Sequence, residues 1–223
     1  MLSSYYDPQG LALDPLGNET SLDFLFDDES KRSYDLTLTV PEDGSLELAL
    51  VDFSAADFRL NLTVELSFRS RANLRIVSLC RPGETKAYSV NVKHLGKKSY
   101  SRTFMNGINL GDGTLRFLGS SYIQNGAHES DTRQEGRITN LSEKSHSECS
   151  PALLIKDYDV KASHGAAVGA YNPKELYYLM SRGLSEKESK TLITIGTLQP
   201  TIESLKTKEL KEKAETALAE LFR

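Results

Sequence analysis

From Tyr34 to His164 the chain alternates apolar and polar residues again and again, and no part of that span carries the 3.6-residue period of a long helix. The alternation is longest in "FRLNLTVELSFR", where Phe58, Leu60, Leu62, Val64, Leu66 and Phe68 share one face and Arg59, Asn61, Thr63, Glu65, Ser67 and Arg69 share the other. "YDLTLTV" and "SLELALVDF" repeat the pattern ahead of it. Behind it come "LRIVSL", "AYSVNV", "TFMNGINL", "TLRFL", "SSYIQ", "GRITNL", "PALLI" and "YDVKA". Turn pairs at Asn106-Gly107, Asp112-Gly113 and Asn125-Gly126 separate several of these runs. Many short strands at close spacing define an all-β body: a sandwich, a barrel or a stacked β-solenoid. There is no repeat of fixed length, and the Asn-Gly and Asp-Gly pairs favour hairpins.

The flanks differ from this body. Residues 1–30 mix Pro, Gly and Asp with short apolar pieces and show no sustained period, so an irregular segment is expected there. After Gly169, "NPKELYYLMSRG" has Asn172 as N-cap, Pro173 at the first helical position, Glu175 closing a capping box and Gly183 as a stop, with Leu176, Tyr177, Leu179 and Met180 as its apolar face. "SEKESKTLITIG" restarts with Ser185 and Glu188 in capping-box spacing, and "PTIESLKTKELKEKAETALAELFR" follows with a stripe of Leu210, Ala214, Ala217, Leu218 and Leu221. The expected organisation is an irregular segment over 1–30, a β body over 31–169 and a helical unit over 170–223. Strands first and helices last indicate α+β segregation rather than alternating βαβ units.

Composition narrows the class of function. A net charge of −4 argues against a chain whose work is to grip phosphate backbones, so no nucleic-acid partner is expected, and Lys97, Lys98 and Arg102 read as a solvated face. No apolar run reaches the length that spans a bilayer, and the N-terminus lacks a basic start followed by an unbroken apolar segment. No membrane association is expected, and the cytoplasm is the expected compartment. Two cysteines make no disulfide framework, and the Asn-x-Ser/Thr matches at Asn18, Asn61 and Asn140 read as chance.

Residues suited to chemistry are sparse. No nucleophile elbow, phosphate loop or dinucleotide fingerprint is present, and "GINLGDG" reads as turn chemistry. The histidines at 94, 128, 146 and 164 are scattered. In "HSEC", an extended backbone puts His146 and Cys149 on opposite faces, and no CxxC completes a four-ligand metal set. Cys80 lies in an apolar strand and reads as core, whereas Cys149 reads as the more exposed thiol. His164, in "DVKASHGAAVG", admits a general-base reading beside Ser163 or Asp159. Neighbours on an extended strand point apart, however, so Ser163 is badly placed for activation. A compact strand-to-helix seam built from Ser163, Gly165 and Gly169 is the plainer reading.

The stretch "LLIKDYDVKASHGAAVGAYNPKELYYLMSRGLSEKESKTLI" resembles the C-terminal signature of the SufB/SufD family, the scaffold subunits of the SUF iron–sulfur cluster assembly system. Weaker similarity runs back through "SPALLI", "RITNLSE" and "NGAHESDTRQEG" to about "KHLGKKSYSRTFMNGINL". The Ser-His-Gly form, with His164 where the SufB branch has glutamate, looks like the SufD branch. The resemblance implies a mostly β chain with an α tail: a right-handed parallel β-helix followed by a C-terminal helical domain. It also implies a non-enzymatic scaffold, with a SufB-type subunit paired through the β-helix and a SufC-type ABC ATPase docked on helices that include Tyr178, Arg182 and Gly183. His164 is then the residue at the cluster interface, with Cys149 as a second candidate, although Ala162 stands where SufD-type members often have Cys. No cofactor is expected on the chain alone; an iron–sulfur cluster would be transient and shared with a partner. The competing expectation is a homodimeric β-solenoid interaction module with no cluster role, closing its open strand edges against itself.

Overall fold

The computed structural model describes residues 2–5 and 18–220. Twelve strands and three helices follow in order: β1 (Leu2–Tyr5), β2 (Glu19–Phe26), β3 (Arg32–Val40), β4 (Ser45–Asp52), β5 (Phe58–Leu66), β6 (Arg71–Cys80), β7 (Thr85–His94), β8 (Tyr100–Asn109), β9 (Thr114–Ile123), β10 (Ser130–Asn140), β11 (His146–Ile155), β12 (Val160–Gly169), α1 (Pro173–Ser181), α2 (Glu186–Ser204) and α3 (Lys208–Glu220). Beyond β1, which pairs with β2, the strands fall alternately into two sheets, β1-β2-β4-β6-β8-β10-β12 and β11-β9-β7-β5-β3. Every pairing among the described residues is parallel. Each coil contributes one strand to each sheet, and about five coils stack into a parallel β-helix. The solenoid is therefore the correct member of the three all-β alternatives, and the hairpin preference of the turn pairs is overturned.

The coils differ in length, which is why the sequence shows no fixed period. Leu48 pairs with Leu74, 26 residues on, whereas Phe117 pairs with Cys149, 32 residues on. What repeats is the corner. Asp43, Arg69, Lys98 and Glu129 each sit just ahead of a strand of the larger sheet with φ between 52° and 59°, the left-handed conformation that turns the chain. They pair along the stack, with Arg69 bound to Asp43 and Lys98 Nζ 3.5 Å from Glu129.

The interior follows from the alternation. Phe26, Phe58, Tyr88 and Phe117 stack on successive coils with ring centroids 4.9–5.5 Å apart, forming an aromatic ladder inside the solenoid. Asn106-Gly107, expected as a turn, is instead inside β8. A Cβ on Gly107 would stand 2.6 Å from Leu115 Cδ2 and 2.9 Å from the Phe117 ring, so glycine is there to admit the ladder. Towards the last coils the interior becomes polar. His94 lies between the Ser99 and Ser101 hydroxyls at 2.8 and 2.9 Å, and the bonds continue from Ser101 through Thr132 and Ser121 to Gln134.

Part of the segment expected to be irregular is corrected. Glu19–Phe26 is a strand whose Leu22, Phe24 and Phe26 point into the solenoid, while Leu25 is buried on the other face beneath the helices. Burial on both faces removes the alternation that would have revealed it. Residues 6–17 lie outside the described residues.

The helices lie on the outer face of the larger sheet. Leu198, Ile202, Leu205, Leu210, Ala214 and Leu218 bury against Leu25, Ala49, Val51, Phe53, Val77, Leu79 and Ile108. The carboxylate of Asp23 on β2 accepts from Lys206 N at 2.8 Å and Thr207 N at 2.9 Å, fastening the turn between α2 and α3. The runs "SEKESKTLITIG" and "PTIES" form one helix, α2, which passes through both Gly196 and Pro200. Such residues cost about 1 and about 3 kcal/mol in a helix interior, which the burial of Leu198 and Ile202 offsets. The stripe of Leu210, Ala214 and Leu218 is buried, Ala217 packs at its margin, and Leu221 lies outside the described residues. No helix is long and apolar enough to cross a membrane among the described residues.

Candidate functional site: the junction of the last coil and the helical hairpin

The stretch around His164 is the last strand of the larger sheet. β12 pairs with β10 along its whole length and has no described neighbour on its other side. Its side chains from Lys161 to Gly169 are exposed and mostly small. Gly165 and Gly169 have open space where a Cβ would stand, so they do not serve to make the junction compact; they leave a low, unobstructed strand edge. The corner that delivers β12 is fixed by Asp157, whose carboxylate accepts from Gly126 N at 2.9 Å, Asp159 N at 3.0 Å and His128 Nδ1 at 2.9 Å. Burial pushes the Asp157 pKa up, but these three hydrogen bonds outweigh it and hold it below the usual carboxylate value.

His164 is in register with Gln134, which is buried inside the solenoid, so the ring takes the inward phase of β12 at the open end of the stack. Cys149 takes the inward phase of β11 and packs against the core; a Cβ on Gly136 would overlap its sulfur. Cys149 is the more exposed of the two thiols, as expected beside the buried Cys80, but it is half-buried, and burial raises its pKa, which keeps it a protonated thiol. Gln134 abuts Gly119, the partner of Pro151, and Gly136 abuts Cys149. Continued one coil, this register sets His164 level with Pro151 and Ala166 level with Cys149. The two candidates thus share the open end of the solenoid on neighbouring levels. His146 is exposed on the opposite face from Cys149, as the extended reading required. No group of three or more His, Cys, Asp or Glu side chains among the described residues is set to hold a metal ion.

Beyond β12, Tyr171 anchors the chain by a 2.7 Å hydrogen bond between its hydroxyl and that of Thr194, and burial raises its pKa. Asn172 caps α1 by accepting from Lys174 N, and Gly183 closes the helix at φ 96°. The apolar face of α1 does not close on the body: the helix buries none of its residues, and Tyr177 is 76% exposed. Tyr178, Arg182 and Gly183 come together at its C-terminal end, with the Arg182 guanidinium 5.3 Å over the Tyr178 ring. Tyr178, Leu179, Leu192 and Ile193 line an apolar groove of about 380 Å³, and Leu184, Leu192 and Ile195 line another of about 410 Å³. Leu192, 49% exposed and shared by both grooves, was not singled out in the sequence. Its signal is the apolar pair Leu192-Ile193 one helical turn from the capping box.

The described residues thus form a parallel β-helix that ends in an open strand edge and an exposed helical hairpin, and comparison with known proteins gives the family. The family model described as "SUF system FeS cluster assembly, SufBD core domain" matches residues 26–197, and the chain belongs to the SufB/SufD family. It is 34% identical over 139 residues to the iron–sulfur cluster assembly protein SufD of Bacillus subtilis, covering 62% of this chain and 32% of that one. It is 29% identical over 85 residues to SufD of Escherichia coli (36% and 20%), and 25% identical over 124 residues to SufB of B. subtilis (56% and 27%). Within the family the chain is SufD-like. It spans about a third or less of the length of these relatives.

Proposed function

We propose that this chain is a non-catalytic, SufD-like scaffold subunit of a cytoplasmic iron–sulfur cluster assembly complex. In this reading the β12 edge pairs with a SufB-type subunit and the α1–α2 hairpin docks a SufC-type ABC ATPase. The observation that carries it is the continuity of two unsatisfied surfaces along residues 160–181: a strand edge with free backbone groups, and a helix that exposes Tyr177, Tyr178 and Met180. Cluster iron and sulfide are cargo here. His164 and Cys149 stand at the open end and supply at most two ligands, so the remaining ligands come from the partner across the edge. A homodimeric solenoid with no cluster role is favoured by the same free edge, which a second copy would also satisfy.

The test is co-expression of the chain with a SufB-type subunit and a SufC-type ATPase. The native chain is expected to elute with both. Tyr178→Asp, which puts a carboxylate on the apolar groove, is expected to weaken ATPase capture by at least about tenfold while the SufB-type pairing persists. Elution of this chain only with itself supports the homodimer instead.

A further inference from the structure

Helix α2 packs on β4, β6 and β8 and stands off β10 and β12, leaving a cleft of about 720 Å³ on the outer face of the larger sheet. The gap is built in. Gly196 and Pro200, among the least favourable residues for a helix interior, lie one turn apart and both line it. A Cβ on Gly196 would meet nothing within 4 Å, and the same holds for Gly165 on the opposing strand. Pro200 has no N–H, so the Gly196 carbonyl lacks the hydrogen bond that an ordinary residue at 200 would give it. A side chain that closed the space would suit the helix better, so these positions favour an open cleft over local stability.

The charge in the cleft is opposite to that of the chain. Arg133 and Arg137 project from β10, and Arg75 lies behind Phe104 with its guanidinium 4.9 Å from the ring centroid. One carboxylate, Glu135, lines the cleft and is bound to Arg133. Arg137 and Arg75 have no carboxylate partner among the described residues. Asn106, in register with Arg137, and Ser163, in register with Arg133, add neutral polar groups along the walls. Guanidinium forks held four residues apart on one face of β10 suit oxyanions bidentately, and the volume falls within the range of small-molecule sites.

We propose that this cleft binds a compact polyanion, a small molecule bearing two or more phosphate or carboxylate groups, with Arg137 as its principal ligand and Arg133 as its support. The site borders the β12 edge, whose Ser163, His164 and Gly165 help to line it, but is separate from the α1 grooves, and the proposal does not rest on the assembly role proposed above. Calorimetric titration of the full chain at low salt, with pyrophosphate in one arm and citrate in the other, tests it. One equivalent of at least one probe is expected to bind with Kd below about 1 mM, and the probe that saturates the site assigns phosphate or carboxylate. Arg137→Gln is expected to weaken binding by at least about tenfold. Gly196→Leu, which fills the cleft without changing charge, is expected to do the same; if that variant melts below the native chain, Arg133→Gln takes its place. Arg59→Gln, on the outer face of the other sheet, is expected to leave binding unchanged. Failure of both probes to saturate, or equal loss in Arg59→Gln and Arg137→Gln, overturns the proposal.

Discussion

Asp52→Ala is expected to lower folding stability by about 3–5 kcal/mol, the cost of leaving a buried ammonium with only the more distant Glu84 carboxylate, 3.9 Å away, as counter-ion. Asp52 ends β4 with its side chain inside the solenoid, 3.1 Å from Lys86 Nζ, and neither side chain has any exposure. The carboxylate also receives Ser54 N at 2.9 Å, the Ser54 hydroxyl at 2.5 Å and the Tyr88 hydroxyl. Lys86 Nζ in turn donates to Ser54 O at 2.7 Å. Every charge is therefore both paired and hydrogen-bonded, which is the condition under which a buried ion pair is tolerated. Burial and the facing carboxylate push the Tyr88 pKa well up, so its hydroxyl stays a donor; burial likewise moves the Cys80 thiol beside this cluster to about 12. The double variant Asp52→Leu with Lys86→Met is expected to recover most of the loss, because it removes both desolvation costs together. Urea unfolding of the three proteins measures this, and a single-variant loss under about 1 kcal/mol would remove the ion pair from the account of stability.

Acidification is expected to weaken the fold well above the pH at which carboxylates protonate. His94 is buried between two hydroxyls, and burial lowers its pKa from 6.5 to about 4. A histidine in the unfolded chain titrates near 6.5. Below that pH the unfolded state takes up a proton that the folded state refuses, so stability is complete above about pH 6.5 and declines as pH falls. The slope is about 1.4 kcal/mol per pH unit and ends near pH 4, where the folded ring also protonates. Between pH 7.5 and pH 4.5 the native chain should lose about 2–3 kcal/mol from this group. His94→Asn is less stable at neutral pH, yet it should show a correspondingly smaller drop across the interval. An equal drop in both proteins would assign the acid sensitivity to other groups.

These two buried clusters show where the sequence could be read and where it could not. The alternation in Phe58–Leu66 named the inward residues correctly because one face is apolar and the other polar. The same rule failed for Glu19–Phe26, buried on both faces, and gave no hint that Lys86 and His94 occupy inward positions, since a charged residue at an apolar phase reads as an interruption. Coil lengths that vary between 26 and 32 residues hide the solenoid from any search for a period. The recurrent left-handed corner residues are Asp, Arg, Lys and Glu rather than glycine, and so give no signal. Asn106-Gly107 misled for the opposite reason, being a turn dipeptide placed in a strand by the ring of Phe117.

At the candidate site, the helix caps at Asn172 and Ser185 and the left-handed stop at Gly183 were legible because capping is local chemistry. The family signature was legible as well. The inward phase of Cys149 was not, because the residues flanking it, Glu148 and Ser150, suggest exposure, while its neighbour in space is Gly136 on the preceding strand. Nor could the sequence tell that α2 continues through Gly196 and Pro200, since that depends on Leu198 and Ile202 finding the outer face of the sheet.

The central claim is that β12 is an interface edge held ready for another subunit. Amide hydrogen exchange over residues 160–169 tests it most directly, because in a parallel strand paired on one side alternate N–H groups point away from the sheet. In the chain alone, these outward amides should exchange fast, while those bonded to β10 exchange slowly. Mixed with a SufB-type subunit, the outward amides should slow by at least about tenfold, as expected for newly paired strand groups. Unchanged exchange along β12 in a mixture that nevertheless forms a complex would contradict the account.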